Sequence, residues 1–214
     1  MESMATTIAP PVSSQSGGIS QKPVVRAPGL AADRASRSGI WVAIFAITMS
    51  FAAFTSALFV REGTADWSHM ALPSTLYLNT LILLASSATF AFAQRSLSAS
   101  PLLDASLERK NLPWLVLTLV LGLGFCFGQY AVWLQLRAQG LYLATNPNSS
   151  FFYVLTAVHA LHLIGGILAL TFVIGRLLVR RSPLRRSFLE NTAIYWHFMG
   201  VVWLYLFLLC RLKL

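Results

Sequence analysis

Three histidines stand in stretches too apolar to face water. His159 and His162 lie one helical turn apart in one run, and His197 lies in another, within Tyr195-Trp196-His197-Phe198. Imidazole is the commonest side-chain ligand for metals and a frequent one for haem, so ligation is the first chemistry to weigh. A di-haem membrane cytochrome needs histidine pairs facing each other at two depths. Here one run offers two imidazoles and a second run offers a single partner. A zinc or iron site would want a carboxylate or thiolate beside the histidines, and the sequence places none there. The reading adopted is therefore buried imidazoles hydrogen-bonded to a neighbouring helix or a lipid headgroup, with a haem-binding membrane cytochrome as the alternative from a different class. No GxSxG, P-loop or HExxH pattern is present. No carboxylate lies at membrane depth to carry a proton relay within this chain. Catalytic, cofactor-binding and metal residues are accordingly none.

The elements that carry these residues follow from the apolar pattern. The chain has 214 residues, of which 56% are hydrophobic and 11% charged, with a mean hydropathy of +0.66. A soluble domain carries about 25% charged residues, so lipid is part of the solvent here. Five runs are long enough to cross a hydrocarbon core of about 30 Å: about 40–60, 72–93, 112–136, 151–175 and 193–212. None contains Asp or Glu, and none alternates as a barrel strand would. Pro113 is suited to a first helical turn. The absence of an internal repeat argues against an inverted-repeat transporter. The expected fold is an all-α membrane protein of five transmembrane helices, preceded by a disordered cytoplasmic tail over residues 1–38, rich in Pro, Ser and Gly and lacking aromatics. That tail has no apolar core of a signal peptide, so the first membrane helix is expected to serve as the insertion signal. Cys126 and Cys210 sit inside apolar runs with no CxxC spacing and read as reduced packing residues.

The net charge of +9 could suggest a nucleic-acid partner, but its placement argues otherwise. Twelve of the sixteen Lys and Arg residues fall on one side of the five spans: four in the tail, three near Arg95, Arg109 and Lys110, and five from Arg176 to Arg186. Arg61, Arg137, Arg211 and Lys213 fall on the other. The positive-inside rule then puts the N-terminus in the cytoplasm and the C-terminus outside. The arginines read as topology determinants and contacts to anionic lipid.

Polar groups retained in hydrocarbon need a partner or a job. Asn79, Thr80, Ser86 and Ser87 in the second run, and Gln129 beside Gly124-x-x-x-Gly128 in the third, read as helix–helix packing. At 100° per residue, His159, His162, Gly166 and Ala169 share one stripe of the fourth helix, half of it small residues. Such a stripe marks a packed face.

On these residues the chain resembles the cytochrome c oxidase subunit III family, the haem–copper terminal oxidase subunit III, in its short five-helix bacterial form. Phe151-Phe152-Tyr153-x-x-Thr156-x-x-His159-x-x-His162 resembles the family's FF-x-x-TG-x-HG-x-H signature, and Tyr195-Trp196-His197-Phe198-x-x-Val201-Val202-Trp203-Leu204 its YWHFVDVVWL signature. Glu190 and Gln129 fall where the family carries a glutamate and a glutamine. The resemblance implies a non-catalytic subunit in the bacterial plasma membrane. It would stabilise the catalytic subunit I, alongside subunit II and possibly a small subunit IV, and bind phospholipids in a helix cleft. Haem and copper would reside in subunits I and II while the complex reduces O2 and pumps protons. Thr156, His159, His162, Glu190, Tyr195, Trp196 and His197 would shape that cleft. A subunit III-like accessory protein of a nitric oxide reductase would share both signatures. The chain departs from the pattern where Ile47, Val132 and Gly200 replace family carboxylates, and where Ala157 and Ala160 replace the glycines around His159.

Overall fold

The computed structural model describes residues 28–64, 67, 72–98, 105–144, 146–179 and 186–214. They form five helices: α1 (Pro28–Glu62), α2 (Thr75–Ser98), α3 (Ala105–Ala138), α4 (Pro147–Val179) and α5 (Arg186–Lys213). Each is long and apolar enough to cross a membrane. Helix is what such runs must form, because hydrocarbon offers no partner for a backbone N–H or C=O and a helix satisfies them internally.

Four helices outrun the apolar stretch that announces them at both ends, whereas α2 starts at Thr75, inside its expected stretch and after Pro73, and outruns it only at its C-terminal end. Hydropathy marks hydrocarbon depth, whereas the hydrogen-bond ladder continues into the headgroup zone. The largest difference is at α1, where residues 28–38 are helical although the sequence suggests an unordered tail. Ala31, Ala32 and Ala35 are strong helix formers and Pro28 fits a first turn. Residues 1–27 lie outside the described residues, as do Arg180, Arg181 and Arg185 of the basic loop. Pro113 is not in a first turn either: α3 begins at Ala105, which puts the proline inside the helix. Its ring costs the ladder one donor.

Helices α2, α3, α4 and α5 close into a ring in which each packs on the next, and α5 returns to α2. Among the described residues α1 meets only α5 and, more sparingly, α4. It is pinned to α5 at three heights. Arg37 pairs with Glu190 at 2.9 Å at one end, the Tyr205 hydroxyl donates to Thr55 Oγ1 at 2.9 Å midway, and Lys213 pairs with Glu62 at 3.0 Å at the other end. These contacts make α1 and α5 parallel, as the first and fifth spans of an alternating bundle must be.

The ring is sewn by side-chain hydrogen bonds at membrane depth. Ser86 Oγ donates to the Thr118 carbonyl at 3.1 Å and accepts from Trp196 Nε1 at 3.2 Å, so one hydroxyl ties α2, α3 and α5. Trp203 Nε1 donates to Thr80 Oγ1 at 3.1 Å, and the hydroxyls of Thr89 and Thr118 meet at 2.8 Å. Asn79 Nδ2 donates to Gln129 Oε1 at 3.3 Å across α2 and α3. On the α3–α4 seam Trp133 Nε1 donates to Thr156 Oγ1 at 3.1 Å. On the α4–α5 seam the Tyr195 hydroxyl donates to the His162 carbonyl at 2.9 Å. Asn79, Thr80, Ser86 and Gln129 each carry a hydrogen bond to another helix here.

The glycines divide differently from the Gly124-x-x-x-Gly128 expectation. At Gly128 a Cβ would collide with the Asn79 amide, so this glycine lets the amide lie on the α3 backbone. At Gly124 the nearest atom to a Cβ would be Ile82 Cγ2 at 3.9 Å, an ordinary contact. The close approach is instead at Gly122, where a Cβ would sit 2.7 Å from the Trp196 ring. That ring is fully buried and held by Ser86, so it has little room to retreat.

Gly122→Ala should therefore lower stability by about 1–3 kcal/mol through overpacking, whereas Gly124→Ala should stay within about 0.5 kcal/mol of the parent. Reversible unfolding in detergent separates the two, and equal effects would sink this account of Gly122. A double-mutant cycle on Thr80→Val and Trp203→Phe should give a coupling of about 0.6 kcal/mol, the mean for membrane hydrogen bonds, and no more than about 1.7.

Candidate functional site

The two signature runs face each other across the α4–α5 seam, but their histidines do not converge. His159 is completely buried in the ring interior. Its imidazole stands edge-on to Phe125 of α3 with ring centroids 5.9 Å apart, and tilts against Trp203 of α5 at 5.0 Å. His162, one turn further on, looks the other way and packs on Phe51 of α1 at 6.0 Å. Its Nδ1 lies 2.8 Å from the Val158 carbonyl of its own helix. His197 leans on Phe90 of α2 at 6.0 Å. The three imidazoles thus serve three different seams. Among the described residues no three His, Cys, Asp or Glu side chains gather where a metal ion could sit.

The expected hydrogen bond from His159 to a neighbouring helix is not formed. Both of its ring nitrogens are buried without a partner among the described residues. Aromatic faces hold the ring instead, and offset or edge-on aromatic pairs are worth about 0.5–1.5 kcal/mol each. Against this stands the cost of an unsatisfied buried polar group, about 1–3 kcal/mol.

The remaining residues read from the signatures are placed as follows. Thr156 and Trp196 lie inside the ring and are used up by Trp133 and Ser86. Tyr195 is half-buried, and its ring lies 3.2 Å from where a Cβ on Gly166 would be, so Gly166 admits the aromatic edge that bonds to His162. Glu190 lies at the membrane boundary on α5, paired with Arg37. Thr156, His159 and Trp196 therefore face other helices rather than an open groove. Glu190, Tyr195, His162 and His197 are partly accessible.

The positions that depart from the family pattern are consistent with this packing. Ile47 and Val132 are buried among apolar side chains. A side chain at Gly200 would meet Ser87 Oγ with its Cβ at 3.0 Å. A carboxylate at any of the three would be desolvated without an evident cation.

Two grooves open at the end of the bundle that carries the C-termini of α1, α3 and α5. One, of about 730 Å3, lies between α1 and α4 and has Arg61 and Thr64 at its mouth. The other, of about 580 Å3, lies between α3 and α4. Neither was visible in the sequence, because their walls come from helix ends distant along the chain. The Trp196–Ser86 and Trp203–Thr80 pairs were also missed. The seven-residue spacing of the tryptophans, which puts both on one face of α5, was the available signal.

His159→Leu replaces a buried imidazole lacking a partner by an apolar side chain. It should leave thermal stability within about 1 kcal/mol of the parent, since lost ring contacts offset the relieved polar burial. A fall of more than about 3 kcal/mol would show that His159 is held by a group beyond those described.

Comparison with known proteins agrees with the signatures. The family profile described as cytochrome c oxidase subunit III matches residues 36–212, which is all five spans. A probable cytochrome c oxidase subunit 3 of Nocardia farcinica is 31% identical over 165 residues, covering 74% of this chain and 78% of the relative. Cytochrome c oxidase subunit 3 of Synechocystis is 32% identical over 165 residues, covering 74% of this chain and 67% of that protein. Quinol oxidase subunit 3 of Bacillus subtilis is 27% identical over 176 residues, covering 79% and 82%. Five membrane-spanning helices and bacterial relatives make this a multi-pass protein of the bacterial plasma membrane. With the profile spanning five-sixths of the sequence and both helix signatures packed against each other, the chain belongs to the cytochrome c oxidase subunit III family.

Proposed function

We propose that the chain is the non-catalytic subunit III of a haem–copper terminal oxidase, a scaffold that stabilises the catalytic subunit and organises lipid beside it. The observation that carries this reading is the use of the polar groups. Polar side chains from every seam of the ring are spent on a neighbouring helix, as the Ser86, Thr80, Thr156 and Tyr195 bonds illustrate. Such a bundle is suited to holding shape rather than transforming a substrate. Haem and copper then belong to subunits I and II, and oxygen reduction and proton pumping are theirs.

The orientation belongs to the same proposal. The end with Arg37, Arg95, Lys110 and Arg176 faces the cytoplasm, and the end with Arg61, Arg137 and Lys213 faces outside, as the cation excess favours. The outer surface of α1, where Trp41, Val42, Phe45 and Met49 are exposed, is apolar enough for lipid or for a partner helix.

The test is a mild-detergent purification of the tagged chain from native membranes, with co-purifying chains identified by mass spectrometry and the absorption spectrum recorded. The expected outcome is a catalytic oxidase subunit in the preparation and a Soret band that leaves with it. A chain that purifies alone and keeps a Soret band would make the histidines ligands and end the scaffold reading. Co-purification of nitric oxide reductase chains instead would move the same scaffold to a different complex.

A further inference from the structure

Helix α1 is joined to the ring unevenly along its length. Its buried residues are Ile47, Phe51, Thr55 and Leu58, spaced four, four and three apart, which is one stripe of a helix. That stripe begins midway. From Arg37 to Ala46 no residue is buried, and Trp41, Val42 and Phe45 are each more than half exposed. At 1.5 Å per residue this unburied stretch is about 15 Å of helix.

The two ends are fastened by different means. At the C-terminal end of α1, one residue of α5 makes three contacts. Lys213 Nζ pairs with Glu62 at 3.0 Å and lies over the Phe59 ring at 5.1 Å, and the Lys213 carbonyl accepts from Trp67 Nε1 at 3.2 Å. Trp67, just beyond α1, also rests on Phe151 of α4 with ring centroids 6.3 Å apart. Nearer the middle of α1, Phe51 packs on His162 of α4. This half is therefore tied to two helices of the ring by charge, aromatic faces and a backbone carbonyl. At the N-terminal end the reach is made by long side chains. Arg37, its side chain 66% exposed, meets Glu190 of α5 at 2.9 Å. An exposed pair competes with water and is screened by salt. Apolar burial, which salt does not screen, stops at Ile47.

We propose that α1 is a hinged arm: it pivots about the Lys213 clasp and the Phe51–Leu58 contact, and the Arg37–Glu190 pair is a strap that holds its N-terminal part against α5. The ring does not need to move with it, because the hydrogen bonds at Ser86, Thr80 and Thr156 join α2, α3, α4 and α5 without α1. Opening parts α1 from α5 at the strapped end and leaves the clasped end closed, a hinge motion with a fixed pivot. Local openings start where buried apolar contact is sparse, and on α1 that is the segment behind the strap. The arm goes beyond the scaffold reading. It is a motion of this chain alone and stands whether or not an oxidase subunit is the neighbour.

The test is a pulsed electron-spin distance measurement on the full chain in lipid nanodiscs, with Cys126→Ala and Cys210→Ala removing the native thiols. One pair of spin labels, on Gly39→Cys and Leu117→Cys, spans the strapped end. A second pair, on Val60→Cys and Leu134→Cys, spans the clasped end. All four positions are exposed. Glu190→Gln removes the carboxylate of the strap. The Gly39–Leu117 distance should then lengthen by about 5 Å, the travel of a roughly 10° swing on a lever of roughly 28 Å from Leu58 to Gly39. The Val60–Leu134 distance should keep its parent value. Molar salt should lengthen the first distance in the unsubstituted strap as well, which tests the hinge without relying on how the Glu190→Gln chain folds. A strapped-end distance that ignores both Glu190→Gln and salt, or a clasped-end distance that moves as far, would overturn the hinge.

Discussion

Most of the packing in this protein answers to one constraint: a polar group at hydrocarbon depth has to find its partner inside the protein. The Ser86 hydroxyl shows how far the constraint reaches. It gives its proton to an α3 carbonyl and takes the indole N–H of Trp196 from α5. Trp196 can reach it only because Gly122 leaves the indole room. A serine on α2, a glycine on α3 and a tryptophan on α5 therefore set one another's positions. The same logic repeats in part nearer the other end of the ring, where Gly128 admits Asn79 and Asn79 Nδ2 meets Gln129 Oε1, while Asn79 Oδ1 and Gln129 Nε2 have no partner among the described residues.

The constraint also explains why α1 differs from the rest. It shares one mid-membrane hydrogen bond with the ring, through Thr55, and its two ion pairs lie at the ends where water competes. Exposed pairs of this kind are worth about 0.2–1 kcal/mol, so α1 is held more by apolar contact with α5 than by charge. Phe51 and Leu58 are the buried apolar positions on this face of α1, and Phe51 packs on His162 of α4. A helix docked on one flank leaves much of its surface for lipid or another subunit, in keeping with a bundle that works inside a larger assembly.

His159 marks the limit of the rule. Its two ring nitrogens are buried between Phe125 and Trp203 without a hydrogen-bond partner among the described residues. The aromatic enclosure compensates in part, and the neighbouring helices cannot separate without exposing three rings at once. Ile47, Val132 and Gly200 show the complementary case. Ile47 and Val132 are buried in the apolar core, and at Gly200 the neighbouring Ser87 hydroxyl leaves little room for a side chain.

The sequence by itself determined the five spans, because a run of some twenty apolar residues without charge has no other stable state in lipid. It also determined the family, through two signatures whose residues turned out to pack on each other. Helix ends were less legible: hydropathy falls at the headgroups while backbone hydrogen bonding continues, so α1 begins well before Ile40 and Pro113 lies inside α3. What only the tertiary structure decided is which residues meet. One turn of helix separates His159 from His162, yet they face different helices. The glycine that matters most for Trp196 is Gly122 and not Gly124, because small residues look alike until the ring opposite each is known. The groove between α3 and α4 belongs to the same class: its walls come from those helices and the segment between them. Sequence can specify each helix, but the identity of a neighbour is a property of the packed ring.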